Sequence, residues 1–161
     1  MEIKKIINCR NMALELTGSE FEAIRDDFKI IDQNGDGRIT RTEMALILVG
    51  KNKEHLDFMM KLMDADKNGT VEFSEFLEIM ACLSYKKGIN KRTAAQYFRA
   101  LDKDGDGFLS VEEIQNFYEI MGCADGKVRS QEEVEELVQS LDIDRDGKIN
   151  FEEFLEGIDK F

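Results

Sequence analysis

A twelve-residue pattern occurs four times in the 161 residues of the chain: Asp32 to Glu43, Asp64 to Glu75, Asp102 to Glu113 and Asp142 to Glu153. Each segment opens with aspartate and closes with glutamate. The third and fifth residues are Asn34 and Asp36, Asp66 and Asn68, Asp104 and Asp106, and Asp144 and Asp146. The sixth is always glycine (Gly37, Gly69, Gly107, Gly147), and the eighth is always apolar (Ile39, Val71, Leu109, Ile149). Such self-similarity means four copies of one supersecondary unit, so the chain is expected to fold as an array of like modules.

These residue types at this spacing suit a hard cation. Calcium takes about six to eight oxygens at roughly 2.3 to 2.6 Å, so a loop that holds it must present oxygens from several directions at once. The expected side-chain ligands are Asp32, Asn34, Asp36 and Glu43; Asp64, Asp66, Asn68 and Glu75; Asp102, Asp104, Asp106 and Glu113; and Asp142, Asp144, Asp146 and Glu153. At the seventh position the backbone carbonyl serves, which explains why Arg38, Thr70, Phe108 and Lys148 share no chemistry there. The sharp turn at position six needs a positive φ that a Cβ makes costly, hence glycine. The eighth residue, mostly β-branched, suits a short strand, so Ile39 is expected beside Val71 and Leu109 beside Ile149. Four calcium sites are expected in all. Loop one has only three carboxylates among its ligand positions, and loop two reaches four with Glu72 at its ninth position, so loop one is expected to be the weakest.

The flanks of each loop carry helical periodicity. Thr17 followed by Glu20 is a capping box, and Phe21, Ile24, Phe28 and Ile31 then recur on one helical face. Similar stripes include Met44, Ile47 and Leu48; Leu56, Met59, Met60 and Met63; Phe76, Leu77, Ile79 and Met80; and Val134, Leu137, Val138 and Leu141. No proline interrupts them. Gly50, Gly88 and Gly122 stand where helices should stop. Loops two and four share the flank Phe-x-Glu-Phe-Leu-Glu, at Phe73 to Glu78 and Phe151 to Glu156, so the repeating unit is a pair of loops. The expected organisation is an N-terminal extension over 1–16, a first lobe over 17–86 and a second lobe over 87–161, joined near Ser84 to Asn90.

Charge narrows the partners. The formal net charge of -12 argues against nucleic acid, whose phosphates need cations, and favours metal ions and basic partners. No apolar run approaches the ~20 residues of a membrane helix. Cys9, Cys82 and Cys123 are odd in number and contain no C-x-x-C pair, which reads as reduced thiols in a cytoplasmic chain. In the extension, Ile3, Ile6 and Ile7 with Lys4, Lys5 and Arg10 have the spacing of an amphipathic helix that could pack on the first lobe or touch a partner or a membrane surface. A frayed terminus is the plainer alternative.

With these residues in view, the chain resembles the calmodulin and troponin C superfamily of EF-hand proteins from Thr17 to Phe161. The resemblance implies an all-α fold of two EF-hand lobes, each a pair of helix-loop-helix units with a short two-stranded β pairing between its loops. It also implies that calcium opens a hydrophobic groove which grips the amphipathic, basic helix of a target protein. The spacing departs from calmodulin itself: the intervals between successive loops are 21, 27 and 29 residues, so the connection inside the first lobe, around Gly50 to Lys53, is short and that around Gly122 to Ser130 is long.

Two functions compete on this evidence. A sensor changes shape to control a partner; a buffer only holds calcium. Methionine favours the sensor, because adaptable thioethers line grooves that accept varied partners, although helically spaced methionines also simply fill cores. Of the eight, Met1, Met12, Met44, Met59, Met60, Met63 and Met80 precede residue 90 and only Met121 follows it. No catalytic residues are expected: the single histidine, His55, sits in the charged stretch Lys53-Glu54-His55, which reads as an exposed helix face.

Overall fold

A computed structural model describes residues 5–9, 12–85, 91–121 and 129–158. The chain divides into two units, 1–93 and 94–161. In the first, strands β1 (Lys5–Cys9) and β2 (Met12–Leu16) precede α1 (Gly18–Ile31), β3 (Arg38–Thr40), α2 (Arg41–Ile47), α3 (Lys53–Met63), β4 (Thr70–Glu72) and α4 (Phe73–Tyr85). Helix α5 (Lys91–Leu101) carries the division between the units. The second unit continues with β5 (Phe108–Leu109), α6 (Val111–Met121), α7 (Gln131–Leu141), β6 (Ile149–Asn150) and α8 (Phe151–Gly157). The helix-loop-helix order expected from the repeat is therefore present four times. The expected joint at 84–90, with Gly88, and the stop at Gly122 with most of the long connection fall largely outside the described residues.

The loops pair as their eighth residues demand. β3 and β4 are antiparallel with Ile39 opposite Val71, and β5 and β6 with Leu109 opposite Ile149. All four of these side chains are fully buried. Each pairing ties two loops back to back, so neither can shift without moving the other.

Helix boundaries follow local chemistry. Thr17 caps α1, with Glu20 N–H donating to its Oγ1 and Thr17 N–H donating to Glu20 Oε2. Reciprocal caps of this kind contribute ~1 kcal/mol each. Gly50, with φ +84°, follows the end of α2 in a conformation that a Cβ would strain. Inside the first unit Phe28 meets Phe73 and Phe76 edge-on, with ring centres 5.3 and 5.5 Å apart. Phe98 repeats this with Phe151 and Phe154, both at 5.5 Å. Each such pair adds about 0.5–1.5 kcal/mol beyond the area it buries.

Three expectations are corrected. The described part of the extension is not helical: β1 and β2 pair as antiparallel strands, with Lys5 opposite Leu16 and Cys9 opposite Met12. The spacing of Ile3, Ile6 and Ile7 suggested a helix, but β-branched residues favour extended backbone, and Ile6 and Ile7 lie in β1. His55 is buried, not exposed, at 8% accessibility. Asn52 caps α3 by accepting from His55 N–H, which places His55, Phe58 and Leu62 on one inward face. On α2 the stripe splits: Met44 is buried, whereas Ile47 is 45% exposed.

Candidate metal centres

Each loop begins where an entering helix ends. The N–H groups of Asp32, Asp64, Asp102 and Asp142 still donate to the helical carbonyls of Phe28, Met60, Phe98 and Val138 at 2.8 to 2.9 Å. The side chain of that first aspartate then turns inward and gathers amides. Gly37, Gly69, Gly107 and Gly147 donate to its Oδ2 at 2.9, 2.9, 3.1 and 2.8 Å. Those glycines have φ between +83° and +87°, as position six required. Position four also has positive φ, held by Gly35 and Gly105 in loops one and three but by Lys67 and Arg145 in loops two and four.

The closing glutamate spans the loop. Glu75 accepts from Ala65 N–H at Oε1 and from Glu72 N–H at Oε2, both at 2.9 Å. Glu153 does the same with Ile143 at 2.8 Å and Asn150 at 2.9 Å, and Glu113 with Lys103 at 2.7 Å and Ser110 at 3.0 Å. Glu43 accepts from Asn34 at 3.3 Å and Thr40 at 2.9 Å. One carboxylate thus links the loop's start to the first turn of the exiting helix.

Here the sequence carried a signal that ligand spacing concealed. Thr40, Ser110 and Asn150, at position nine, cap the exiting helices, and the position-twelve glutamate is their capping-box partner. The pattern Thr/Ser/Asn-x-x-Glu was legible in all three loops.

The donors converge. Oxygens of Asp64, Asp66 and Glu75 lie within 4.8 Å of one another, as do those of Asp102, Asp104 and Glu113 and of Asp142, Asp144 and Glu153. That spacing fits oxygens around one cation of calcium's size. Among the described residues, loop one has no such acidic group; its third position is an amide, whose Asn34 Oδ1 accepts from Asp36 N–H at 2.8 Å, while Asn34 N–H donates to Glu43 and Asp36 N–H also donates to Asp32. The fifth-position residues Asp36, Asn68, Asp106 and Asp146 each accept at Oδ1 from the amide two residues on, and none of them belongs to the three converging acidic groups. The seventh-position side chains point to other business: Thr70 Oγ1 donates to Asn68, Arg38 faces Glu72, and Lys148 reaches Asp106.

The glutamates are not electrostatically equal. Thr40, through its backbone and hydroxyl, holds the Glu43 carboxyl below its ordinary 4.5, whereas burial pushes Glu75 above 4.5. A depressed carboxyl lends stability above its ordinary pKa and loses it as pH falls through the depressed value. A raised one lends stability only below its ordinary pKa and loses it as pH rises through the raised value. Ionised Glu43 therefore supports the ion-free fold at neutral pH, and ionised Glu75 weighs against it. Carboxyl carbon NMR titration of calcium-depleted protein is expected to show Glu75 titrating at higher pH than Glu43; the reverse order would contradict this assignment.

The EF-hand domain pair family matches residues 21–81 and 91–158, and the chain belongs to that family. It is 33% identical over 149 residues to a calmodulin-like protein of Oryza sativa subsp. japonica, with 89% of this chain and 85% of that protein covered. It is also 30% identical over 155 residues to calcium-dependent protein kinase 11 of the same plant, covering 94% of this chain but 26% of the kinase. The protein is thus a calmodulin-like, calcium-binding EF-hand protein. Among the described residues, no helix is long and apolar enough to cross a membrane.

Proposed function

We propose that the protein is a non-enzymatic calcium sensor with four sites, whose first lobe captures an amphipathic, basic helix of a target protein. The observation that carries this reading is an apolar groove of about 260 Å³ in the first unit, lined by Met44, Ile47, Leu48, Met59, Met63 and Met80 among others. Asp27 stands at its edge, and Ile30 and Ile47 line it while 69% and 45% exposed. Methionine thioethers adapt to varied apolar side chains, and the acidic edge favours a basic partner. Met60 is not part of this lining; it is buried in the core at 7% accessibility.

The link from site to groove runs through the closing glutamates. Calcium supplies positive charge and a demand for oxygen ligands. Glu43 and Glu75 stand in the first turns of α2 and α4; Met44 on α2, Leu48 at its C-cap, and Phe76 and Met80 on α4 line the groove. Recruiting either carboxylate to an ion therefore acts on a helix that forms a groove wall. A buffer would need no such groove. The proposed lobes are 17–86 and 87–161, with the seventh-position carbonyls completing each ligand set.

Mass spectrometry under non-denaturing conditions, combined with a hydrophobic dye, tests this reading. Four ions per chain and dye binding only with calcium are expected. Two or fewer ions would remove the four-site assignment, and equal dye binding with calcium and with chelator would remove the sensor. Loop one, with Asn34 in place of a third-position carboxylate, is expected to fill last. Glu43→Gln should accordingly spare the tightest binding step and Glu113→Gln should weaken it; the opposite result would reverse the ranking.

A further inference from the structure

Lys148 has a place in loop four only through its backbone, yet its side chain leaves the loop altogether. Its Nζ lies 2.6 Å from Oδ2 of Asp106, the fifth-position ligand of loop three, and 5.5 Å from the centre of the Phe108 ring. The two residues are 42 positions apart in sequence. What brings them together is the β5–β6 register, Leu109 opposite Ile149. Both oxygens of Asp106 then have a partner, because its Oδ1 accepts from Phe108 N–H at 2.9 Å. The bond from Lys148 is the main cause that holds the Asp106 carboxyl below its usual range, and the same bond raises the lysine.

The first unit contains a counterpart. Arg38, also at position seven, lies with Nη2 3.6 Å from Oε1 of Glu72, the ninth residue of the facing loop, and the β3–β4 register places the two directly opposite. In both units a basic side chain from the seventh position of one loop thus neutralises an acid of its partner loop.

We propose that Lys148 is a tethered cation that occupies Asp106 in the ion-free protein and must be displaced when loop three takes calcium, so that loop four sets the affinity of loop three. This rests on the reading of loop three as a calcium site. An ammonium on a four-carbon stem is strongly hydrated and mobile, and exposed pairs are weak, so the lysine tunes the site and does not block it. Its loss has two consequences of opposite sign. Calcium no longer competes for Asp106, so loop three tightens. In the ion-free protein the charges of Asp102, Asp104 and Asp106 lose their neutralising partner, so the fold weakens.

The test compares Lys148→Gln, Lys148→Arg and Arg145→Gln in the full chain by chelator-competition titration. The amide signals of Gly107 and Gly147 report which loop fills, since each donates to the first ligand of its own loop. Lys148→Gln is expected to tighten loop three about two- to fivefold, the range an exposed pair supports, and to lower the ion-free melting temperature. Lys148→Arg keeps the cation and should stay near wild type. Arg145→Gln removes the same charge from the same loop, so it measures the general electrostatic effect, which should be smaller. Equal tightening by Lys148→Gln and Arg145→Gln, or none by Lys148→Gln, overturns the proposal alone. A Gly107 signal that never responds to calcium, in a chain whose Gly147 responds, overturns the loop-three reading and the proposal with it.

Discussion

Saturating calcium is expected to raise the melting temperature by more than about 20 °C. A ligand that binds only the folded state stabilises it by ~4 kcal/mol at a thousandfold excess over its dissociation constant, and a pair of sites in one lobe doubles that. In a unit of about 60–100 residues each kcal/mol is worth roughly 4–8 °C. The physical source is visible in the loops. Carboxylate oxygens of three ligands in loops two, three and four lie within 4.8 Å of one another, where like charges repel. Four divalent ions would bring the formal charge from -12 to -4. Residues 91–161 carry most of the acidic excess, so a fragment beginning near Lys87 should show the larger shift. Scanning calorimetry with calcium and with chelator measures both; a shift below about 5 °C would mean that the folded loops do not hold the ions.

The second large effect concerns the groove. Glu75→Gln removes one ligand oxygen's charge from loop two and weakens the capping link to Glu72 at the start of α4, the helix that carries Phe76 and Met80. Calcium-induced dye binding by the first lobe should largely disappear, while the Gly107 and Gly147 signals of the second unit still respond. Ile47→Glu attacks the same event from the other side. Ile47 lines the groove, is 45% exposed and lies outside the loops, so the ion sites remain intact. A buried charge facing an apolar target side chain should cost ~2–4 kcal/mol of peptide affinity, about 30- to 1000-fold. An Ile47→Glu protein that binds peptide as wild type does would place the target elsewhere.

The sequence exposed its loops because ligand chemistry is periodic and local: an ion needs given oxygens at given offsets, and only glycine serves at position six. The strand pairs Ile39 with Val71 and Leu109 with Ile149 were legible for the same reason. What stayed hidden depended on choices that periodicity leaves open. Ile3, Ile6 and Ile7 stand at helical spacing, yet residues 5–9 and 12–16 pair as strands, the conformation that β-branched residues favour. His55 looked exposed because its neighbours Lys53 and Glu54 are charged, but the Asn52 cap fixes the helix phase and turns it inward. Ile47 stands 45% exposed although it belongs to an apolar stripe, because a stripe identifies an apolar face but not whether a partner element covers it. The capping function of Thr40, Ser110 and Asn150 was written in the sequence and masked by the stronger ligand pattern.

The central claim is that filled loops open a binding surface for a basic helix. Isothermal titration of a basic amphipathic helical peptide into the full chain, once with saturating calcium and once with chelator, tests it most directly. Calcium-dependent binding with a negative heat-capacity change, the mark of apolar burial, and no measurable binding in chelator is the expected result. Equal affinity in the two conditions, in protein shown to carry four ions, would contradict the sensor and leave a calcium-binding protein without a regulated surface.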